Sequence, residues 1–235
     1  MSFIQNIIEP KRVWLVWQSN LSGQARSRRF VGEISNAPAN NGVTFRYLEG
    51  TTDFSIAKSE GFDGFPAFKL DTVEHTQGVL EAFMRRLPPR NREDFNEYLA
   101  RHRLPSDSKF SDLALLGYTG AKLPSDSFEF YADLIDATPP FELVVEVAGF
   151  RHQSKVASGD LTIGEFVTFM PEPDNAFDSK AIAIIYKNQR IGHIGRTQTA
   201  IFHHWMSKNY TIEAMIERIN GKPDRPLIYL FITVR

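Results

Sequence analysis

The chain has 235 residues, a formal net charge of −1 and no cysteine. This length suits one large domain or two small ones, at roughly 100–200 residues per domain. The lack of cysteine excludes disulfides, thiol nucleophiles and cysteine-based zinc sites, and the near-neutral charge means that any nucleic-acid contact must come from a local site.

The missing cysteines predict a cytoplasmic location, and neither the amino terminus nor the hydropathy pattern predicts a targeting or membrane segment. Residues 1–10 lack the basic segment and the long apolar run of a signal peptide. No stretch approaches the ~20 consecutive apolar residues that a membrane-spanning helix needs. We therefore expect no association with a membrane.

Strands open the chain and helices follow. Residues rich in β-branched and aromatic side chains predict strands at 13–17, 28–34 and 43–48. Segment 61–68 is a predicted loop that is anchored by buried aromatic side chains. Helical spacing of apolar residues then predicts helices at 79–87 and 95–102, and a third that Asp107 or Ser108 caps and that carries residues 110–116.

A proline-containing segment, residues 136–140, divides the chain into two predicted domains. Pro139 and Pro140 fix φ and remove two backbone donors, so neither a helix nor a central strand runs through them. The pattern is mixed α and β before this break and mostly strands after it. We predict an α+β protein with a first domain at 1–135, a linker at 136–140 and a second domain at 141–235.

The second domain is predicted to be mainly β. Strands are expected at 141–149, 165–170, 181–187, 190–194, 210–220 and 226–234, with turns at Asn188-Gln189 and at 221–225. Thr197 can cap the one main helix. Many short strands and a single helix indicate a closed or partly closed barrel.

Four short motifs in this domain have a specific order and spacing. They are residues 146–151 (EVAGFR), Gly164-Glu165, residues 172–182 (EPDNAFDSKAI) and residues 190–196 (RIGHIGR). Together they resemble the HIRAN domain over nearly all of residues 141–235. The resemblance implies a modified OB-like barrel that, in the helicase-like remodellers carrying it, grips the free 3′ end of single-stranded DNA.

The resemblance also implies a set of DNA-binding residues, carried over position by position: Arg151, His152, Asn175, Phe177, Asp178, His193 and Arg196. Where the family often has an aromatic residue after the arginine, this chain has His152 and then Gln153. A guanidinium offers planar donors to phosphate oxygens, and a phenyl ring can stack on a base. A carboxylate can accept a hydrogen bond from a terminal hydroxyl.

These residues also have structural alternatives. Arg151 could be a surface arginine at the end of a strand. Asn175 and Asp178 are turn formers that bond nearby backbone groups. Phe177 could lie in the core, and His193 could be a satisfied histidine within a hairpin.

The first domain carries a second resemblance. Residues 45–48 (FRYL), 65–68 (FPAF), 79–88 and 112–120 (DLALLGYTG) are similar to the amino-terminal subdomain of HipA-family kinases, over residues 12–131. The kinase lobe of that family is absent from this sequence. Some toxin systems encode the subdomain as a separate protein that restrains the kinase. The resemblance therefore implies a regulatory partner, such as a HipA-like kinase, and an antitoxin-like role.

Arginines cluster on the predicted helices of the first domain: Arg85, Arg86, Arg90, Arg92, Arg101 and Arg103. We call these residues the basic run. A run of this kind is either a solvated face or a surface for a partner or DNA.

Catalytic and metal sites are not predicted. No serine lies in a nucleophile elbow, and no spacing of acidic residues selects a catalytic pair. His203 and His204 are adjacent on a helix and point to different faces, so they do not make a metal pair. We expect a protein that is not an enzyme, with no cofactor and no bound metal.

Two functions remain open at this point. The first is a DNA-binding adaptor, whose HIRAN-like domain binds single-stranded DNA at free 3′ ends and whose first domain docks a HipA-like kinase or another protein. The alternative is an antitoxin-like interaction module that regulates such a kinase without binding DNA. Salt dependence separates them, because phosphate contacts weaken with salt.

Overall fold

The computed structural model describes residues 2–19, 27–37, 42–154 and 156–235. The chain forms two units. The amino-terminal unit is Ile7–Asp136, and the carboxy-terminal unit combines Ala137–Arg235 with Met1–Asn6. The carboxy-terminal unit is thus built from two separate pieces of chain.

In the described part of the amino-terminal unit, the chain forms one antiparallel sheet and four helices. Its elements are β1 (Arg12–Gln18), β2 (Arg28–Ala37), β3 (Gly42–Tyr47), α1 (Thr52–Ser59), α2 (Val79–Met84), α3 (Phe95–Arg101), α4 (Asp112–Thr119) and β4 (Phe128–Ala132). The strand order is β3-β2-β1-β4. The three predicted strands are confirmed, as is the aromatic anchoring of loop 61–68, where Phe62, Phe65 and Phe68 are buried.

Several elements of this unit differ from the sequence prediction. Helix α1 and strand β4 were not predicted: α1 buries only Phe54 and Ala57, and β4 has only five residues. Helix α2 ends at Met84, short of residue 87. The fourth helix begins at Asp112, because the Ser111 hydroxyl accepts the Ala114 N–H at 3.0 Å and caps it in place of Asp107 or Ser108.

Within the described residues, the carboxy-terminal unit contains a six-stranded antiparallel sheet, two α-helices and a short 3-10 helix at Ser158–Asp160. Its elements are β5 (Phe141–Glu146), α5 (Phe150–Gln153), β6 (Phe166–Pro171), β7 (Ile182–Tyr186), β8 (Gln189–His193), α6 (Arg196–Ser207), β9 (Ile212–Lys222) and β10 (Arg225–Val234). The strand order is β5-β10-β9-β6-β7-β8. Helix α6 buries Phe202 and Trp205 in the core of this unit.

The six-stranded sheet curls until its two edges meet at one point. Ala148, just beyond edge strand β5, pairs with His193 at the end of edge strand β8. Each residue donates its N–H to the carbonyl of the other at 2.9 Å. The α+β class and the curled sheet agree with the sequence prediction, whereas the finer description as an OB-like barrel stays a prediction.

Three local predictions for this unit were wrong. Strand β5 stops at Glu146, because Gly149 adopts the left-handed conformation (φ +76°) and starts α5. Helix α6 is preceded by Gly195 as its N-cap, so Thr197 lies inside it. The β7–β8 turn is Lys187-Asn188, both with positive φ, and Gln189 already belongs to β8.

The amino-terminal segment of the chain is tied to β5 by one carboxylate. Glu142 accepts the backbone N–H groups of Gln5 at 3.0 Å and Asn6 at 2.8 Å, together with the Asn6 side-chain amide at 3.0 Å. Ile4 is only 1% exposed. The sequence had assigned residues 1–6 to the first domain, whereas these contacts make residues 4–6 part of the carboxy-terminal unit.

Candidate functional site

His193 occupies the point where three parts of the carboxy-terminal unit converge. Its backbone pairs with Ala148, which immediately precedes the Gly149-α5 corner. Its Nε2 atom lies 2.9 Å from Oε2 of Glu172, the residue that follows β6. His193 therefore connects the segment before α5 to the turn that follows β6.

Gly192 makes this convergence possible. A Cβ atom at this position would lie 2.5 Å from the Ala148 carbonyl oxygen and 2.6 Å from Cγ1 of Val147. Real Cβ atoms do not come so close to backbone, so a larger residue would push β8 away from Ala148. The glycine of the IGH motif is explained by this close approach.

Glu172 is the centre of a polar cluster. Its Oε2 atom accepts hydrogen bonds from Nδ2 of Asn175 at 2.7 Å and from Nε2 of His193, while Oε1 accepts one from Nη1 of Arg190 at 3.2 Å. The carboxyl side chain is 17% exposed. The hydrogen bond from His193, with further ones from Asn175 and Arg190, holds the pKa of Glu172 below its ordinary value.

We refer to residues 172–180 as the acidic turn. Oδ1 of Asn175 accepts the backbone N–H groups of Phe177 at 3.0 Å and Asp178 at 3.2 Å. Oδ1 of Asp178 accepts the N–H of Lys180 at 2.9 Å. Both side chains thus perform the turn-forming role that the sequence offered as the alternative to contacting DNA, and the turn has a defined shape.

The far end of the acidic turn is attached to helix α6. Nε2 of His203 lies 2.9 Å from the carbonyl oxygen of Lys180. With Glu172 attached to β8 at the other end, the acidic turn is held at both ends.

Phe177 projects from the acidic turn into solvent. Its side chain is 100% exposed. The prediction that offered a core position for Phe177 is therefore wrong, since the hydrogen bonds of Asn175 turn the chain outward here. An exposed ring on an ordered turn provides a flat apolar surface for a ligand.

Arg151 and His152 are both exposed and belong to α5. Nη2 of Arg151 lies 2.9 Å from Nε2 of His152. The alternative of an arginine at a strand end is wrong, because β5 ends five residues earlier and α5 carries both side chains. Helix α5 contacts β8, so the cation lies on an element next to the strand of His193.

Arg196 is the first residue of α6 and is exposed. It follows His193 by three residues, so β8 and the start of α6 bring both into one region of the chain. The predicted residues therefore fall into three groups: α5 with Arg151 and His152, the acidic turn with Asn175, Phe177 and Asp178, and the β8–α6 segment with His193 and Arg196.

Glu172 and Arg190 take part in this arrangement but were not predicted as site residues. Both lie inside the quoted motifs, so their presence was visible in the sequence. Their pairing depends on the register between β7 and β8, which shifts between Ile184 and Ile185. The sequence did offer one signal for this cluster: the acidic Glu172 precedes a turn, and the hairpin that follows carries the basic residues Arg190 and His193.

Metal-ligand geometry is not found in the described residues. No group of three or more His, Asp or Glu side chains within residues 2–19, 27–37, 42–154 and 156–235 is arranged to hold a metal ion. His203 uses its Nε2 atom on the Lys180 carbonyl. Over the same residues, no helix is long and apolar enough to cross a membrane.

The basic run of the amino-terminal unit is largely matched by carboxylates. The pairs are Arg86 with Asp126 (2.5 Å), Arg90 with Asp112 (2.6 Å), Arg92 with Asp94, and Arg101 with Glu97 (3.8 Å). The Arg86 side chain is only 6% exposed and lies over the rings of Phe65, Phe128 and Phe130. These contacts favour a structural role over a nucleic-acid surface.

Comparison with known proteins adds two similar solved structures. The crystal structure of the HIRAN domain of human HLTF has 23% sequence identity and a TM-score of 0.33, and the match covers 40% of this chain and 74% of that chain. A protein from Lactobacillus plantarum has 19% identity and a TM-score of 0.33, with 39% of this chain and 92% of that chain covered. A search against curated proteins returned no match.

The family assignment comes from the sequence motifs and a family model. The model of the HIRAN domain matches residues 140–234. The match contains β5 to β10, both α-helices of the carboxy-terminal unit and all seven predicted site residues. Residues 140–234 of this chain are therefore a HIRAN domain, as the motifs within residues 141–235 predict.

Proposed function

We propose that the carboxy-terminal unit binds single-stranded DNA and that it selects free 3′ ends. The observation that carries the proposal is the HIRAN match over residues 140–234, since a HIRAN domain implies binding of single-stranded DNA. The preference for a 3′ end, and the OB-like description of the curled sheet, follow from the family resemblance.

The chemistry of the three groups around His193 supports this function. Exposed Arg151 offers a planar set of donors to phosphate oxygens. The fully exposed ring of Phe177 is available for stacking on a base, a contact worth about 1–3 kcal/mol. The Asp178 carboxylate repels phosphate but accepts a hydrogen bond from a terminal hydroxyl, which favours a strand end over a continuing strand.

His152 modifies the proposed site. An imidazole stacks on a base less strongly than the larger ring that the family often has at this position. Nε2 of His152 also accepts a hydrogen bond from the Arg151 guanidinium, and this contact helps to fix the position of that cation. We propose that the domain retains end binding and relies more on Arg151 and Phe177 than its aromatic relatives do.

We further propose that the chain acts as a binder and adaptor without a catalytic step. Docking of a HipA-like kinase on the amino-terminal unit stays a prediction, and so does the antitoxin-like alternative. Contacts along the basic run give no support to that surface as a second DNA site.

Fluorescence anisotropy with labelled oligonucleotides tests the proposal. The probes are a single strand with a free 3′-hydroxyl, the same strand with a 3′-phosphate, and a blunt duplex. We expect tight binding to the free hydroxyl alone, with a log–log salt slope of about −0.7 per phosphate contacted. Arg151→Ala should abolish it, whereas Arg235→Ala should not, since Arg235 follows β10 at the end opposite α5 and pairs with Glu213.

Two results would count against the proposal. Binding that does not change with salt would exclude phosphate contacts as its main source. If no probe binds at moderate salt, the DNA function is wrong and the antitoxin-like alternative becomes the better account.

A further inference from the structure

We infer that Glu172 is a positioning residue of the DNA-end site: its carboxylate fixes the acidic turn and the His193 ring in the binding geometry without contacting DNA itself. The inference rests on the proposed function and adds to it a residue through which Asn175, Phe177 and His193 act together.

The first support is the way in which the carboxylate divides its hydrogen bonds. Oε2 binds Asn175 of the turn and His193 of β8, at 2.7 and 2.9 Å, and Oε1 binds Arg190 of β8 at 3.2 Å. The same side chain therefore joins the turn to the neighbouring hairpin. Hydrogen bonds to an ionised carboxylate are among the stronger ones in proteins.

The second support concerns the backbone. The N–H of Glu172 donates to the Ala181 carbonyl at 2.8 Å, and the Glu172 carbonyl accepts the N–H of Asn175 at 3.0 Å. Main chain and side chain of Glu172 thus hold both ends of the segment that presents Phe177. A ring on a fixed turn loses less conformational freedom when it stacks on a base.

The third support is the orientation of the histidine. An ionised carboxylate only accepts hydrogen bonds, so the nitrogen that faces Glu172 must carry the hydrogen. In His193 that nitrogen is Nε2. The Nδ1 atom is then the ring nitrogen that remains for a ligand. Glu172 thus determines which of the two ring nitrogens of His193 the DNA contacts.

The negative charge of Glu172, taken alone, predicts the opposite effect on DNA binding. The direction of the change in affinity therefore distinguishes a positioning role from a purely electrostatic one. Glu172 places a negative charge beside Arg190 and His193, where it disfavours a bound phosphate. If Glu172 acts only through its charge, its removal strengthens binding. If it positions the site, its removal weakens binding even though a repulsive charge is lost.

The decisive variant is Glu172→Gln in the full chain, measured with the 3′-hydroxyl and 3′-phosphate strands. Glutamine keeps the size but turns one acceptor into a donor that faces other donors. We expect about tenfold weaker binding to the 3′-hydroxyl strand, together with a smaller preference over the 3′-phosphate. The control is Glu213→Gln, which removes a carboxylate from an exposed ion pair with Arg235, and it should bind as the wild type does.

A nitrogen NMR measurement of the imidazole gives a readout that is independent of DNA. We expect hydrogen on Nε2 of His193 in the wild type, and a shift toward the other tautomer in Glu172→Gln but not in Glu213→Gln. Equal or tighter DNA binding by Glu172→Gln overturns the inference while the proposed function stands. Failure of the wild type to bind any strand overturns the proposed function, and the NMR comparison then decides alone whether Glu172 orients His193.

Discussion

Nε2 of His193 and Oε2 of Glu172 are 2.9 Å apart, and the same histidine pairs through its backbone with Ala148. The contact between the two side chains joins the acidic turn to β8, and the backbone pair joins β8 to the segment before α5. The side-chain and backbone hydrogen bonds of His193 thus connect the elements that carry Arg151, Phe177 and Asp178.

Phe177→Ala should weaken DNA binding without affecting the fold. The ring is 100% exposed, so its removal deletes no core contact. Loss of one stacked base should weaken the binding free energy by about 1–3 kcal/mol. Fluorescence anisotropy with the 3′-hydroxyl strand measures this change. Phe166→Ala is the matched control, because Phe166 is 68% exposed on β6 of the same unit. Equal losses in both variants would show that the turn has no special role.

Acid should destabilise the carboxy-terminal unit through Glu172. The hydrogen bond from His193 contributes most to holding the pKa of Glu172 below its ordinary value of 4.5. A group whose pKa is lower in the folded state contributes stability above its unfolded-state pKa, and this stability is lost as the pH falls through the folded-state pKa. Wild-type stability should therefore fall more steeply below pH 4.5 than that of Glu172→Gln.

Urea unfolding between neutral pH and about pH 3, followed by hydrogen exchange in β6 to β8, measures this difference. Glu213→Gln serves as control, since it removes a carboxylate from an exposed ion pair with Arg235. The control should keep the steep acid dependence of the wild type. If wild type and Glu172→Gln lose stability in parallel, the Glu172 cluster does not contribute to the acid response.

Gly192→Ala should destabilise the carboxy-terminal unit by about 2 kcal/mol or more. The added methyl group would meet the Ala148 carbonyl oxygen at 2.5 Å, and β8 must separate from Ala148 to admit it. Denaturant unfolding gives the loss, and faster exchange of the Ala148 and His193 amides shows where it arises. Gly159→Ala is the control, because nothing lies within 4 Å of a Cβ there. If the Ala148 and His193 amides of Gly192→Ala exchange at the wild-type rate, the added methyl group does not separate β8 from Ala148.

Ile4→Ala should destabilise the carboxy-terminal unit by about 2–4 kcal/mol, although residue 4 is far in sequence from the rest of that unit. Ile4 is 1% exposed and is followed by the two residues that bind Glu142. Hydrogen exchange in β5 and β10 by mass spectrometry reports the loss. Ile163→Ala, at a position that is 61% exposed, should change stability by no more than about 0.5 kcal/mol. A similar small effect at Ile4 would mean that its burial is not needed.

Local patterns predicted much of the fold. The β-branched and aromatic residues of segment 13–17 and the HIRAN motifs depend on neighbouring residues only, and they located a strand and the HIRAN domain. The α5 corner was not predicted, because Gly149 in a left-handed conformation looks the same in sequence as a glycine in a strand.

The candidate site was less accessible to sequence reasoning. The motif residues were identified through the family, but their contacts depend on hairpin register and on the path of the acidic turn. Hydrophobicity suggested a core position for Phe177, whereas the two backbone bonds of Asn175 direct the ring to solvent. Glu172 was missed because its partners Arg190 and His193 are brought near it only by a hairpin with a register shift.

The two-piece construction of the carboxy-terminal unit has a consequence for biosynthesis. Ile7–Asp136 emerges from the ribosome as one continuous segment and can fold as soon as it is complete, in the order that synthesis imposes on domains. Gln5 and Asn6 are synthesised before this segment, whereas Glu142, which binds both, is synthesised after it. Residues 5 and 6 therefore have no Glu142 carboxylate to bind until the whole of Ile7–Asp136 has been synthesised.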